Sequence, residues 1–269
     1  MFLKTLQGTI LCMKKHHSNK EFGLLKIFNR VEKNHWWWEG RRYLLKSLLS
    51  GKNPKRILDI GCGTGETLTF LQKLFPEARL YGIDTSDKAV AYTKKRGHQH
   101  VVNASAESIP EKKETFDVIL LLDVLEHIRK DSQVLLEVKR VLIPGGILLI
   151  TSPALPLLWG DHDKNQGHYR RYTKNDFVQL SRKTGLKTNT NTYFNFFLSP
   201  IVIFVRVLGK IPPLRFLVQY DNGINYEVAF HPLINTVLSV IFRIELWLLK
   251  KGVRYPFGIS LVVALQKDK

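Results

Sequence analysis

Residues 56–65 read Arg56-Ile57-Leu58-Asp59-Ile60-Gly61-Cys62-Gly63-Thr64-Gly65, and this stretch decides the fold. Arg56–Ile60 is a short buried-strand signal that runs straight into three alternate glycines. Glycines at 61, 63 and 65 let the chain turn tightly and come close to a ligand without side-chain obstruction. A dinucleotide fingerprint would want Gly or Ala at position 66, and Glu66 stands there instead. A carboxylate at a helix start disfavours a pyrophosphate at that spot. A phosphate-binding P-loop is excluded as well, because no Gly-Lys-Ser/Thr follows. The turn suits a cofactor that ends in an amino acid, whose ammonium would meet Asp59.

Outward from this turn, strand and helix signals alternate. Leu80–Ile83, His100–Val102, Val118–Leu122 and Ile147–Thr151 read as strands. Glu66–Phe75, Lys88–Arg96 and Ser132–Leu142 read as helices, the second led by Ser86-Asp87 as a cap. The alternation predicts parallel strands joined by crossover helices, hence a doubly wound α/β sheet with its ligand at the carboxyl ends of the strands. At those ends stand Asp84 after the second strand, Ser105-Ala106-Glu107 after the third, and Asp123-Val124-Leu125-Glu126-His127 after the fourth. A carboxylate at Asp84 can accept both hydroxyls of a ribose. Pro144-Gly145-Gly146 leads into the fifth strand.

With these four elements in order, residues about 55–152 resemble a class I S-adenosylmethionine (SAM)-dependent methyltransferase. The resemblance implies a Rossmann-like seven-stranded sheet and SAM as cofactor. It assigns Asp59, Gly61, Gly63 and Gly65 to the methionine end, Asp84 to the ribose and Ala106 and Glu107 to the adenine. Asp123 joins the cofactor-binding set. Relatives often carry Asp where Ser105 stands. The flanks resemble a narrower bacterial subgroup, through His35-Trp36-Trp37-Trp38-Glu39-Gly40-Arg41-Arg42 and through Trp159-Gly160-Asp161-His162-Asp163 with Gly167-His168-Tyr169-Arg170-Arg171-Tyr172-Thr173.

The fold normally ends with strands six and seven as an antiparallel pair. Thr173–Asp176 reads as a capping box opening a helix to about Lys183, Lys187–Phe194 as strand six, and Gly258–Leu265 as strand seven. About 60 residues separate those two strands, where a short hairpin is the norm. The expected organisation is a basic helical arm over 1–54, the methyltransferase core over 55–195, a helical lid over 196–256 and the final strand over 257–269. The insertion should leave from the cofactor side and form a lid or platform beside the transferred methyl group. Within it, 194–208 is broken by Pro200 and Arg206. Leu233–Leu249 carries Thr236, Ser239 and Arg243 as a narrow polar stripe, with Asn235 beside it. Arg243 and Glu245 argue against a true membrane span. Such a helix is either buried in the protein or lies in a membrane interface.

The 269 residues carry a formal net charge of +18. Residues 1–56 hold +10, residues 57–169 hold −2, and residues 170–269 hold +10. Two basic arms around a near-neutral middle suit an anionic partner: a membrane surface, a phosphorylated substrate or a nucleic acid. Lys210, Arg215, Arg243, Lys250, Lys251 and Arg254 are the basic candidates in the insertion. Apolar residues at 44% and charged residues at 24% exclude disordered and collagen-like chains. Cys12 and Cys62 are too few for a disulfide framework or a Cys-type zinc site, which suggests a reducing compartment; no metal is expected. Residues 1–13 lack the features of a signal peptide and read as an extension.

Methyl transfer from a sulfonium is an in-line displacement whose main demands are alignment and exclusion of water. An oxygen or nitrogen acceptor also sheds a proton, for which a histidine of near-neutral pKa is suited. His127, His162 and His168 are the catalytic candidates, in that order for the first two; Asp161 and Asp163 are expected to orient His162. Arg170 and Arg171 are expected to grip a phosphate or carboxylate of the substrate. Three successive tryptophans on a helix point in different directions, so at least one, taken as Trp38, is expected to line a pocket. Arg41 or Arg42 is a candidate to close over the cofactor carboxylate. The resulting expectation is O- or N-methylation of a small, glycan or lipid-linked acceptor by a cytoplasmic protein peripheral on the inner membrane face. RNA methylation and a non-catalytic SAM-binding role are the alternatives; no RNA-binding module is visible.

Overall fold

The structure, a computed structural model, describes residues 25–208 and 232–269. The readings made for residues 1–13, Cys12, Lys210 and Arg215 lie outside them. Helical residues 25–31 precede α1 (Trp36–Leu48). The alternating core is then β1 (Arg56–Ile60), α2 (Glu66–Leu74), β2 (Arg79–Asp84), α3 (Asp87–Lys95), β3 (Val101–Asn103), β4 (Phe116–Leu122), α4 (Asp131–Val141) and β5 (Leu142–Pro153). After it come α5 (Asp161–Gln166), α6 (Lys174–Thr184), β6 (Lys187–Phe194), α7 (Ser199–Leu208), α8 (Pro232–Lys250) and β7 (Ser260–Gln266).

The seven strands form one sheet in the order β3-β2-β1-β4-β5-β7-β6. The first five run parallel, with Ile57 opposite Leu80 and Val118 on either side, and β7 is antiparallel to both neighbours. The chain starts at the centre, works outward, then returns past β1 to β4, which opens a crevice at the carboxyl ends of β1 and β4. β6 and β5 both pair antiparallel with β7, so β6 ends at that same edge.

The strands are near-continuous apolar runs because both faces are covered. On one face, Val134, Leu135, Val138 and Val141 of α4 join Phe177 and Leu180 of α6 against Leu58, Ile119 and Leu148. On the other, Leu45, Leu49, Leu68, Leu71 and Val90 pack on Ile57, Val118 and Leu120. Their spacing of three and four is the helical period that the sequence displays. Ser86 caps α3 and Thr173 forms the capping box of α6. β5 begins earlier than expected. Leu142 already pairs with Phe116, and the register slips across Pro144-Gly145-Gly146, so that turn is a bulge inside the strand. Helix α5 has no strong periodic signal; it is closed by Asp163 Oδ2 accepting from Gly160 N–H and by Gly167 at φ 74°.

The insertion packs around Phe242, which lies buried among Trp36, Trp37 and Phe194. Two of the three tryptophans therefore do share one face of the molecule, because α8 wraps them from outside the sheet. Gly40 makes this possible: a Cβ there would sit 1.8 Å from Phe242 Cδ1. Three residues of the polar stripe of α8 turn to the protein, while exposed Thr236 bonds Pro232 O within the helix. Asn235 Oδ1 accepts from Trp36 N–H at 2.8 Å, Ser239 Oγ bonds Glu39 at 3.1 Å, and Arg243 pairs with Glu39. Glu245, fully buried, accepts from the amides of Phe196 and Phe197. The apolar side of the helix is left outward, with Leu233, Ile234, Val237, Val240, Ile244 and Trp247 exposed.

Candidate active site

The glycine turn binds itself to the second strand. Gly61 and Cys62 N–H both donate to Ile83 O, and Gly63 N–H donates to Asp84 Oδ2 at 2.9 Å. Ser86 N–H donates to the other oxygen, Oδ1, also at 2.9 Å. Asp84 is thus aimed at the turn from two sides. Gly61 has φ +70°, and a Cβ there would come within 2.5 Å of Val124. Gly63 has φ +57°, yet a Cβ would meet nothing within 4 Å, so the turn presents an open face. Asp59 lies beneath, 2% exposed; burial raises its pKa to about 7, with Arg41 pulling it down and Asp84 pushing it up.

Residues before the sheet brace this turn. Buried Glu32 accepts from Thr64 Oγ and pairs with Arg96 at 2.7 Å, and Arg96 also pairs with Glu66. Glu66 is therefore held by Arg96 at the start of α2. Arg41 and Arg42, adjacent on α1, separate in role. Arg42 donates to Glu32 O and Lys33 O, closing the helical turn before α1. Arg41 reaches across the strand ends to Asp123 Oδ2 at 2.8 Å and Leu122 O at 3.3 Å. Asp123, at φ +58°, also accepts from Thr151 Oγ at 3.1 Å. Of the residues expected at the adenine, Ala106 is buried and Glu107 exposed; Ser105 Oγ accepts the Glu107 N–H, closing its own turn.

A second group stands after β4. Leu125–His127 is a single 3-10 turn. The His127 and His168 rings meet edge to face with centroids 4.7 Å apart, and His162 lies 6.2 Å beyond His168. His168 Nδ1 bonds Asp163 Oδ1 at 3.0 Å. The expectation that Asp163 orients His162 is corrected: its carboxylate is taken by His168, by Arg171 at 2.8 Å and by Arg206 of α7 at 3.3 Å. The His168 hydrogen bond and the Arg171 and Arg206 guanidiniums hold the Asp163 carboxyl well below the usual range despite its burial. Burial and the neighbouring His168 lower the pKa of His127 to about 4, so it is neutral at pH 7 but a weak base, contrary to the near-neutral value its role was taken to need.

The substrate-gripping arginines are also corrected. Arg171 is buried, and its guanidinium bonds Asp163 and Ala154 O. Arg170 pairs with Asp131 at 2.7 Å and donates to Arg129 O. Both brace the segment after β5 instead of facing a ligand, because that segment needs internal cations against Asp131 and Asp163. Trp38 packs on Phe28 and His35, with centroids 5.3 and 4.8 Å away. Sequence reasoning missed Glu126, whose carboxylate is 1% exposed beside His127, and the bracing pair Glu32–Arg96. The only signal for Glu126 was its place in the Asp123–His127 run.

The parts fit the amino-acid end of a nucleoside: a buried carboxylate for an ammonium, a guanidinium across the same strand ends for a carboxylate, an open glycine face and an acid aimed over it. Comparison with known families decides the assignment: residues 58–150 match the family described as "Methyltransferase domain". Over this third of the chain the segment resembles a methyltransferase domain. Its cofactor is S-adenosyl-L-methionine. The chain is 30% identical over 135 residues to trans-aconitate 2-methyltransferase of Deinococcus radiodurans, covering 49% of each chain. It is 29% identical over 178 residues to the mitochondrial ubiquinone biosynthesis O-methyltransferase of Schizosaccharomyces pombe, covering 58% of this chain and 64% of that one. The chain spans about half the length of the curated relatives it matches. A putative methyltransferase solved with the Haloferax volcanii Trm112 activator shares the fold, with a TM-score of 0.60 at 13% identity over 95% of this chain and 96% of that one. Asp59, Gly61, Gly63 and Gly65 of this segment, with Arg41 from α1, would hold the methionine end of the cofactor, and Asp84 its ribose.

Proposed function

We propose that this chain transfers a methyl group from SAM to an oxygen or nitrogen of a small, glycan or lipid-linked acceptor, at the cytoplasmic surface of a membrane. The observation that carries the lipid-linked reading is the inverted amphipathicity of α8. Its Asn235, Ser239 and Arg243 are spent on α1, and its apolar face points outward, Leu233 at 68% and Trp247 at 59% exposed. Ile201 and Phe204 of α7, 65% and 64% exposed, extend the apolar surface. Exposed Lys250 ends α8 and exposed Lys251 and Arg254 follow it, where each cation near an anionic leaflet contributes about 1 kcal/mol. By length and composition α8 could also cross a membrane, with mean hydropathy 1.6. Its Glu39–Arg243 pair and buried Glu245 favour lying along the surface instead.

The insertion also touches the walls of the site. α7 reaches it through Arg206 and Asp163, and α8 through α1, which carries Arg41. An acceptor drawn from a membrane would thus meet the cofactor crevice beside the lid. SAM supplies an electrophilic methyl group on a good leaving group. The chain's own task is alignment: Asp59 and Arg41 fix one end of the cofactor and Asp84 the other, and α7 and α8 narrow access for water. His127 and His168 are the imidazoles on the acceptor side, and His127, a weak base, suits holding an acceptor oxygen more than taking its proton. The test is to incubate the protein with methyl-labelled SAM and fractionated lipid, glycan and RNA extracts. Label in lipid or glycan fractions supports the proposal. Label in RNA alone would favour the RNA reading that the +18 charge suggests.

A further inference from the structure

Three donor groups not assigned to the cofactor converge on one point. A carboxylate oxygen of Glu126 and one ring nitrogen from each of His127 and His168 lie within 4.8 Å of one another. Each is arranged as a ligand is. Glu126 is 1% exposed, and its Oε2, buried, has no hydrogen-bond partner. Leaving such an atom unpaired costs about 1–3 kcal/mol, more for a charged group, so a buried orphan oxygen calls for a partner. His168 is bonded to Asp163 through Nδ1, which leaves Nε2 for a ligand. The His127 ring meets that of His168 edge to face at 4.7 Å, which brings one of its nitrogens to the same point. Metal-binding histidines almost always have the second nitrogen held, as that of His168 is, by a carboxylate or backbone carbonyl. Asp163 is in turn locked by Arg171 and Arg206, so the support is rigid.

We infer that Glu126, His127 and His168 form a binding site for a divalent first-row transition-metal ion. Two imidazoles and one carboxylate suit Zn2+, Fe2+ or Mn2+ rather than the all-oxygen shells that Mg2+ and Ca2+ prefer. Bonds of about 2.1 Å place donors at most about 4.2 Å apart, so the side chains close by a fraction of an ångström on binding. Three protein donors leave coordination positions open. The site follows β4, at the edge of the sheet where the cofactor crevice lies. Resting on the methyltransferase reading, this narrows the acceptor to one that presents a hydroxyl oxygen to the ion. The two imidazoles then act as ligands and not as independent bases.

The test is titration of the full chain with Zn2+ and, separately, Mn2+ by calorimetry, alongside S-adenosylhomocysteine binding. The expected result is one ion per chain, weakened about a hundredfold or more in Glu126→Gln and in His127→Asn. Both variants should still bind S-adenosylhomocysteine, which shows that they are folded. Co2+ should give visible bands characteristic of a nitrogen and oxygen shell, without thiolate charge transfer. His16 and His17, adjacent in the sequence, are the necessary control. Binding lost in His16→Asn/His17→Asn but kept in Glu126→Gln would overturn the proposal, as would no binding at all. Metal binding without S-adenosylhomocysteine binding would instead sink the methyltransferase reading and leave the ion site standing.

Discussion

The buried Asp59 makes cofactor binding a proton-linked event. Burial holds its pKa at about 7 in the free protein, against an ordinary value of 3.8. A ligand ammonium beside it would favour the carboxylate and bring the pKa back down. Below pH 7 the free protein must therefore release a proton to bind. At pH 5 about 1% of the free protein has Asp59 ionised, and at pH 7 about half, so affinity should rise about fiftyfold between them. At about 1.36 kcal/mol per tenfold change this is about 2.3 kcal/mol. S-adenosylhomocysteine is the better probe, since it carries the same amino-acid end and does not react. Calorimetry from pH 5 to pH 7, in two buffers of different ionisation enthalpy, should show close to one proton released per ligand at pH 6. Asp59→Asn should bind weakly at every pH, with the slope abolished. A flat wild-type profile, or a slope surviving in Asp59→Asn, would refute the assignment of Asp59 to the ammonium. The same group affects stability without ligand. The folded state holds this proton up to about pH 7 while the unfolded chain gives it up near 3.8. Its contribution to stability therefore falls as pH rises through that window.

Five further outcomes follow. Asp84→Ala should weaken S-adenosylhomocysteine binding at least tenfold, since it removes charged acceptors worth about 1.5–3 kcal/mol each; unchanged calorimetric affinity would remove Asp84 from the ribose. Phe242→Ala should cost about 3–5 kcal/mol in denaturant unfolding, because the ring fills the space between Trp36, Trp37 and Phe194. Gly40→Ala should be destabilised by overpacking against the same ring, by about 1–3 kcal/mol; wild-type stability in either would mean α8 does not dock on α1 as described. Asp163→Asn should lose about 3–5 kcal/mol at pH 7, as it leaves Arg171 buried without its anion. The Asp163 contribution is present above about pH 4, where the unfolded carboxylate is ionised, and is lost as pH falls through its depressed folded value, so an acid titration of stability should lose a step in the variant. Finally, Val240→Asp with Trp247→Asp should abolish sedimentation with anionic vesicles while leaving cofactor affinity intact; undiminished sedimentation would move the membrane contact off α8.

Much of the architecture was legible because it is written in local rules. Short continuous apolar runs for strands and period-3.6 patterns for helices, the Ser86 and Thr173 caps, and glycines that must take positive φ are each decided within a few residues. What escaped were features decided by distant partners. Arg170 and Arg171 look like an anion grip in sequence, but Asp131 and Asp163, which claim them, lie 39 and 8 residues away and meet them only when the chain after β5 folds back. The stripe on α8 has the same appearance whether it faces water or protein; only the packing against Glu39, some 200 residues earlier, chooses. Glu126 is an ordinary acid in a motif until burial strips its oxygen of water.

By itself, then, the sequence determined that a parallel sheet would form with a glycine turn at its centre and acids at the ends of its strands, because strand and turn preferences are short-range and add along the chain. Which way each ambiguous side chain faces was decided only by tertiary structure. Burial and ion pairing depend on what arrives from elsewhere, and they turned Arg171 inward, set the apolar face of α8 outward and gathered Glu126, His127 and His168 around one point.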